Sequence, residues 1–415
     1  MKLQTGPLVV LVAGIVAACD GETRWAGTIT DSAGVTIASN TDVGIWAPGE
    51  EWTLEEELRI GALEGPAEYQ IGQVGSIALD SKGRILVLDG QAQHIQAYSP
   101  DGIYERTIGA RGGGPGELGN ALALLMGTGD TLLVPDGQNL RFTRYAPDGS
   151  SVGSIRLDPE GAYPMAFKAA ASGAIVEQIR LYALPGQPAI EEPIDVLVRL
   201  AIDGSVTDTL MAFPSGKKWV FDGPYREFAA EPLWDLTKSS QVVLAVSDEY
   251  RIGVYADGHL KRIITKPFDP ERIGEADERA IREEMERRMI AAGYPAETRQ
   301  LARDNTDFAE YLPTISTLAA GPAGTIWVQR MRRPSELSDV ELASIRESHL
   351  NEDLGAPGWD VFDREGRYLG VVKMPDQFTP SVFRDDKIYG VWRDELNVEY
   401  VLRLRIIGDL DVGAT

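Results

Sequence analysis

One cysteine and three histidines in 415 residues leave little material for thiol or metal chemistry. With Cys19 alone, no internal disulfide can form, so the fold must stand on its buried core. His94, His259 and His349 are scattered along the chain, and no multi-histidine metal centre is expected from them. Basic residues are also short: 40 Lys and Arg face 63 Asp and Glu, a formal net charge of -23. A chain this acidic is repelled by nucleic acid, which is therefore not an expected partner. Past Ala18 no apolar run is long enough to cross a membrane as a helix. A nucleophile elbow, paired cysteines and a metal-protease helix are all missing, and no cofactor is expected.

What the chain does have begins at its amino terminus. Lys2 precedes an apolar run from Leu8 to Ala18, too short to span a bilayer and of the length of a signal-peptide core. The run ends in Val16-Ala17-Ala18-Cys19, which resembles the lipobox of bacterial lipoproteins. That resemblance implies cleavage before Cys19, acylation of its thiol, and a protein tethered to a membrane in the cell envelope, on the periplasmic or extracellular side. Residues 1–18 are thus expected as a signal peptide, 19–50 as a tether with a rim hairpin, and 51–415 as one folded body, expected to be a monomer.

Within that body a hairpin pattern recurs six times: Ile77 to Asp89, Leu122 to Asp136, Pro164 to Gln178, Leu233 to Asp248, Ile315 to Arg330 and Pro380 to Asp394. In each, β-branched, leucine and aromatic residues flank a turn rich in Gly, Asn, Asp or Ser. A second hairpin follows five of them, with turns at Asp101-Gly102, Asp148-Gly149, Asp203-Gly204, Asp257-Gly258 and Asp363 to Gly366. Four strands per unit, repeated six times, predict an all-β, six-bladed propeller. The sixth unit has three strands of its own, so Trp52 to Ile60 is expected to close the ring as its outermost strand, removing two exposed edges. Gly27 to Ser39 reads as a further hairpin on the rim.

The spacing D-x-x-x-x-H/R-I/F-x-x-Y followed by Asp-Gly, as in Asp89 to Tyr98 and Asp136 to Tyr145, resembles the NHL-type repeat. Asp31 to Ile37, Gly112 to Glu117, Gly324 to Val328 and Trp359 to Asp363 resemble markers of the related bacterial six-bladed propeller family. The resemblance implies a fold more than an activity, because these stretches are not catalytic signatures.

Propeller topology puts the loops between second and third strands, and the crossovers between blades, on one face, here called the top. Long loops on a rigid scaffold are where binding usually resides. Two insertions fall there, at about 267–312 and 331–357. The first is predicted to hold a helix from Glu275 to Ala292, with Ile281, Met285 and Met289 as an apolar stripe. Glu278–Arg282, Glu283–Arg287 and Glu284–Arg288 are its expected ion pairs. The second is predicted to hold a helix starting near Ser335, with Ser338 and Glu341 as a capping box. Together they read either as a lid over the channel mouth or as decoration packed on the rim.

Arg330, Arg332 and Arg333, the run Lys217-Lys218-Trp219, and Arg111 are the candidate ligand contacts, since guanidinium matches carboxylate or phosphate. Glu231 is the one carboxylate among the channel-mouth positions Ser76, Asn120, Tyr163, Glu231, Thr314 and Thr379. Asp89, Asp136, Asp248 and Asp394 recur near second-strand ends and are expected to satisfy turn amides. The glycine-rich stretch around Arg111 opens no helix, so a nucleotide loop is not expected. The reading that follows is a tethered binding module for a small anionic molecule, a glycan or a protein. The alternative is a metal-dependent lactonase or ester hydrolase, whose ion would need several converging carboxylates.

Overall fold

Period-two alternation sorts the side chains of each strand to two sides, and in inner strands such as Ile85–Asp89 and Leu132–Asp136 both sides are buried. In the computed structural model, which describes residues 25–157, 162–169, 173, 175–181, 194–201, 204–214, 225–344 and 354–410, the strands stand as six blades around a ring. The leader with Cys19, and Lys217, Lys218 and Trp219, lie outside the described residues.

An amino-terminal hairpin, β1 (Thr28–Ser32) and β2 (Val35–Ser39), precedes β3 (Thr53–Ile60). Blade one is β4 (Val74–Leu79), β5 (Ile85–Asp89), β6 (His94–Tyr98) and β7 (Tyr104–Ile108). Blade two is β8 (Leu125–Met126), β9 (Leu132–Asp136), β10 (Arg141–Tyr145) and β11 (Ser151–Arg156). Blade three is β12 (Ala162–Ala169), β13 (Ile175–Leu181), β14 (Ile194–Leu200) and β15 (Val206–Pro214). After β16 (Tyr225–Glu227) comes blade four: β17 (Pro232–Leu236), β18 (Val242–Val246), β19 (Arg251–Ala256) and β20 (His259–Thr265). The crossover to blade five carries α1 (Glu275–Ala291), α2 (Ala296–Asn305) and β21 (Thr306–Phe308). Blade five is β22 (Ile315–Ala320), β23 (Ile326–Met331), β24 (Gly355–Phe362) and β25 (Tyr368–Lys373), with α3 (Asp339–Ser344) between its second and third strands. Blade six is β26 (Phe378–Arg384), β27 (Lys387–Arg393) and β28 (Glu399–Ile407). Its fourth strand is β3, antiparallel to β28 with Val401 opposite Ile60 and Ile407 opposite Thr53, as the sequence predicts.

Neighbouring residues of one strand enter different seams. Ile85 and Val87 of β5 pack with Tyr389, Val391 and Val401 of blade six. Leu86 and Leu88 pack with Leu132, Val134 and Tyr145 of blade two. Each later seam repeats the arrangement, ending with Trp327, Trp359 and Val361 of blade five against Ile388, Leu402 and Leu404 of blade six. Each buried aliphatic side chain contributes about 1.5–3 kcal/mol, so the ring closes on apolar contacts without a disulfide.

The amino-terminal hairpin does more than rest on the rim. β2 runs parallel to β20, with Thr36 opposite Arg262 and Ser39 opposite Thr265, so blade four becomes a six-stranded sheet. Its edge would otherwise present unpaired N–H and C=O groups. The chain then crosses to blade five, where the Ile45 and Trp46 amides donate to the carbonyls of Tyr368 (3.1 Å) and Leu369 (2.9 Å). Asn40 is the hinge of this strap and is buried. Its amide nitrogen donates to the carbonyls of Thr265 (3.1 Å) and Gly366 (2.9 Å), and its oxygen accepts from Tyr368 N–H (2.7 Å) and the Trp25 indole (2.9 Å). Asn40→Ala leaves these groups unpaired and is expected to cost about 1–3 kcal/mol, read as a lower urea midpoint. An unchanged midpoint would show that the strap contributes nothing through this residue.

Candidate functional site

The two top-face insertions come together as a cap. α1 covers the predicted span and stops at Gly293, whose φ of +77° lets the chain leave the helix. Glu278–Arg282 (4.0 Å) and Glu284–Arg288 (2.6 Å) form as expected, whereas Arg287 turns from Glu283 to the buried Glu284 (3.0 Å). The second helix begins later than predicted. Pro334–Glu336 is a single 3-10 turn, and α3 starts at Asp339 behind the expected capping box, with Ser338 N–H on Glu341 (3.0 Å) and Glu341 N–H on Ser338 (3.3 Å). Leu337, Leu342 and Leu354 from this loop join Ile281 and Leu312 from the previous crossover and Phe228 from the crossover before that in a small separate core. α2 and the parallel pairing of β16 with β21 complete the cap, and neither is foreseen from the sequence.

The candidate arginines diverge. Arg333 is absorbed by the cap: it pairs with Glu271 (3.1 Å) and with the fully buried Asp277, which also accepts from Ser335 N–H (3.2 Å), Ser335 Oγ (2.6 Å) and Gly274 N–H (3.0 Å). Burial opposes the charge on Asp277, yet the Ser335, Gly274 and Arg333 donors hold its carboxyl below the usual carboxylate range. Arg332 pairs with Glu341 (2.9 Å), while its Nε is buried without a hydrogen-bond partner among the described residues. The Ser338 amide and Arg332 together hold the Glu341 carboxyl at about 2. Arg330 pairs through its backbone with Ile315 near the end of β23, and its exposed side chain makes no hydrogen bond or ion pair among the described residues. Arg111 donates to the Gln91 carbonyl, joining two top-face loops. Glu231 opens blade four, its N–H on Ser247 Oγ (2.9 Å).

The glycine-rich crossover surrounds a cation. The carbonyls of Gly113 (3.2 Å), Gly114 (2.7 Å) and Glu117 (2.8 Å) accept from Arg141, so the loop turns oxygens inward where a phosphate would need N–H groups. Asp136 takes the amides of Gly119 (2.8 Å), Asn120 (2.9 Å) and Asn139 (3.1 Å), and Asp89 those of Gly72 (2.9 Å) and Ala92 (2.7 Å). Asp394 takes Leu396 and Val398, both at 2.9 Å. Asp248 departs from the pattern. β18 ends at Val246, so Asp248 falls in the exposed turn beyond and has no such hydrogen bond among the described residues.

A cavity of about 110 Å³ lies between blades five and six on the top face. Arg332 and Gln329 from the end of β23, Arg393 from the end of β27, and Gln377 and Thr379 from the crossover line it, with Glu341 and Asp376 at its margin. Gln329 and Arg393 are buried. Sequence reasoning finds Arg332 and names Thr379 as a channel-mouth residue. It misses Arg393, whose only signal is its place at a second-strand end, matching that of Arg332 one blade earlier. Among the described residues, no three His, Cys, Asp or Glu side chains come together as a metal site, and no helix is long and apolar enough to cross a membrane.

These elements define a six-bladed β-propeller carrying a helical cap and a small, guanidinium-lined cavity on one face. Two bacterial structures share the fold. One is a protein from Bacteroides fragilis assigned as exported, with 14% identity, a TM-score of 0.51, and coverage of 89% of this chain and 99% of that one. The other is a member of the DUF4221 family from Bacteroides vulgatus, with 12% identity, a TM-score of 0.53, and coverage of 87% and 99%. No protein-family model and no curated protein matches the sequence.

Proposed function

We propose that the chain is an exported, membrane-tethered propeller that binds a small anionic ligand in the cavity between blades five and six. The carrying observation is the pair of guanidinium groups, Arg332 and Arg393, lining one half-open cavity, with a buried Arg332 Nε that lacks an acceptor among the described residues. At about 110 Å³ the cavity suits an acidic end group, a carboxylate or phosphate, with the remainder of the ligand reaching toward the top face. The Val16 to Cys19 lipobox supports the tether, and the exported Bacteroides fragilis protein of the same fold supports the location.

Thermal shift and calorimetry on the mature protein with acetate, succinate and inorganic phosphate test the ligand class. At least one acid is expected to raise Tm, and Arg332→Met or Arg393→Met to weaken its binding by about tenfold or more, the loss of one charge-assisted contact. The Arg332–Glu341 pair is part-exposed, so Arg332→Met should cost the unliganded protein only about 0–1 kcal/mol. A flat Tm with all three probes, or a shift that persists in both variants, would sink the reading. The tether is tested separately: Cys19→Ser should move the protein from the membrane fraction to the soluble one.

A further inference from the structure

The strand registers align one position in all six blades, on the side that faces the preceding blade. Five blades place an aliphatic residue there: Val87, Val134, Leu244, Val328 and Ile388. Blade three places Glu177. Its cross-strand neighbours are Phe167 on β12 and Val198 on β14, both buried, and Glu177 is itself only 7% exposed. Around it lie Leu125, Leu133, Phe142, Ile175 and Val196 of the seam between blades two and three. Its carboxyl has no hydrogen bond or ion pair among the described residues.

Other charged groups nearby are turned away or engaged. On blade three, Lys168 pairs with Asp235 (2.8 Å), Arg180 with Asp195 (2.8 Å) and Arg199 with Asp208 (3.9 Å), all on the side toward blade four. On blade two, Asp136 is on the side toward blade one and Arg156 is exposed. The exception is Arg144 of β10, which shares the seam side with Phe142 and has a buried Nε with no hydrogen-bond partner among the described residues, but its guanidinium runs along Gly153 of β11 and forms no pair with Glu177. A carboxylate in this place would be an uncompensated buried charge, whereas a protonated carboxyl is tolerated.

We propose that Glu177 makes the seam between blades two and three a proton-controlled joint, closed while its carboxyl is protonated and loosened when it ionises. Burial alone pushes the Glu177 carboxyl up from 4.5 to about 7. The folded state therefore keeps a proton that the unfolded chain has released. The seam's contribution to stability is full below about 4.5, falls as pH rises toward about 7, and stays lost above it. Because local opening tracks local stability, the effect should be confined to blade three and its neighbour.

The test is hydrogen exchange, corrected for intrinsic rates, on the mature protein at about pH 5 and about pH 8. Protection of the β12 and β13 amides relative to those of blade five is expected to fall by about tenfold or more across that interval, and to stay level in Glu177→Gln. Glu177→Leu, which restores the residue type of the other blades, should remove the pH dependence and raise protection at pH 8. A side-chain NMR titration of Glu177 in the unaltered protein gives an answer that needs no variant. Titration near the ordinary value of about 4.3, or the same pH dependence in the glutamine variant, would overturn the proposal.

Discussion

Asp360→Ala is expected to destabilise the protein by about 3–5 kcal/mol, the cost of removing one partner from a buried charge pair. Asp360 is 3% exposed on β24, and its carboxylate accepts from Tyr250 (2.6 Å), Tyr368 (2.7 Å) and Lys266 Nζ (3.1 Å). Lys266 follows β20, so the cluster joins blade four to blade five. Lys266 lies 4.2 Å from the Tyr368 ring centroid and 5.7 Å from that of Tyr250, which adds a cation–π attraction. Burial, and then the neighbouring Asp360 charge, raise both tyrosine hydroxyls well above their ordinary value, so each stays a donor at any physiological pH. Without Asp360 the buried ammonium and two buried hydroxyls lose their shared acceptor. The double variant Asp360→Leu with Lys266→Met removes both charges and should recover most of the loss, to within about 1–2 kcal/mol of the unaltered protein. Urea denaturation of the two singles and the double measures this coupling. A single variant as stable as the parent would mean that the cluster makes no net contribution.

That cluster also marks where sequence reading ends. Hairpins were legible because strand alternation and Gly or Asp turns act over a few residues, and both survive burial. The closing strand was legible because the sixth unit lacks a fourth strand and Trp52 to Ile60 has the period to supply it. Pairings without a local turn left no such trace. β2 and β20 run parallel although more than two hundred residues separate them, and β16 and β21 meet only because the cap brings them together. α2 was missed because AETRQLARDN carries one leucine and no apolar stripe, and its residues pair instead with α1 through Arg299 and Arg303 on Glu286. Polar residues inside seams, such as Asp360 or the Gln178–Asp195–Arg180 group, read as solvent-facing until the neighbouring blade is in place. The three arginines after Gln329 look like one patch in sequence. They separate because β23 ends there and the chain alternates: Arg330 stays on the strand, Arg332 turns into the cavity, and Arg333 reaches the cap.

Trp52→Ala is expected to cost about 3–5 kcal/mol, and most of that loss should appear as opening of the ring. Trp52 is 2% exposed, immediately before β3, and its indole donates to the Asp409 carbonyl (3.0 Å) just beyond β28. It therefore ties the two ends of the propeller to each other independently of the ladder between them. Its ring packs 5.1 Å from Trp46 of the strap and 6.1 Å from Trp327 of β23, linking strap, closing strand and blade five in one aromatic row. The truncation leaves a cavity that neither β3 nor β23 can collapse into, because both are held by their own ladders. β3 pairs only with β28, and its outer edge is free, so losing the indole removes a tie that its single ladder cannot replace. Hydrogen exchange should show the amides between β3 and β28 losing protection by about a hundredfold or more, while those inside blades two and three change little. A uniform loss across all blades would show instead that the ring opens as one cooperative unit. No change at β3 would mean that its ladder, and not the indole, keeps the ring shut.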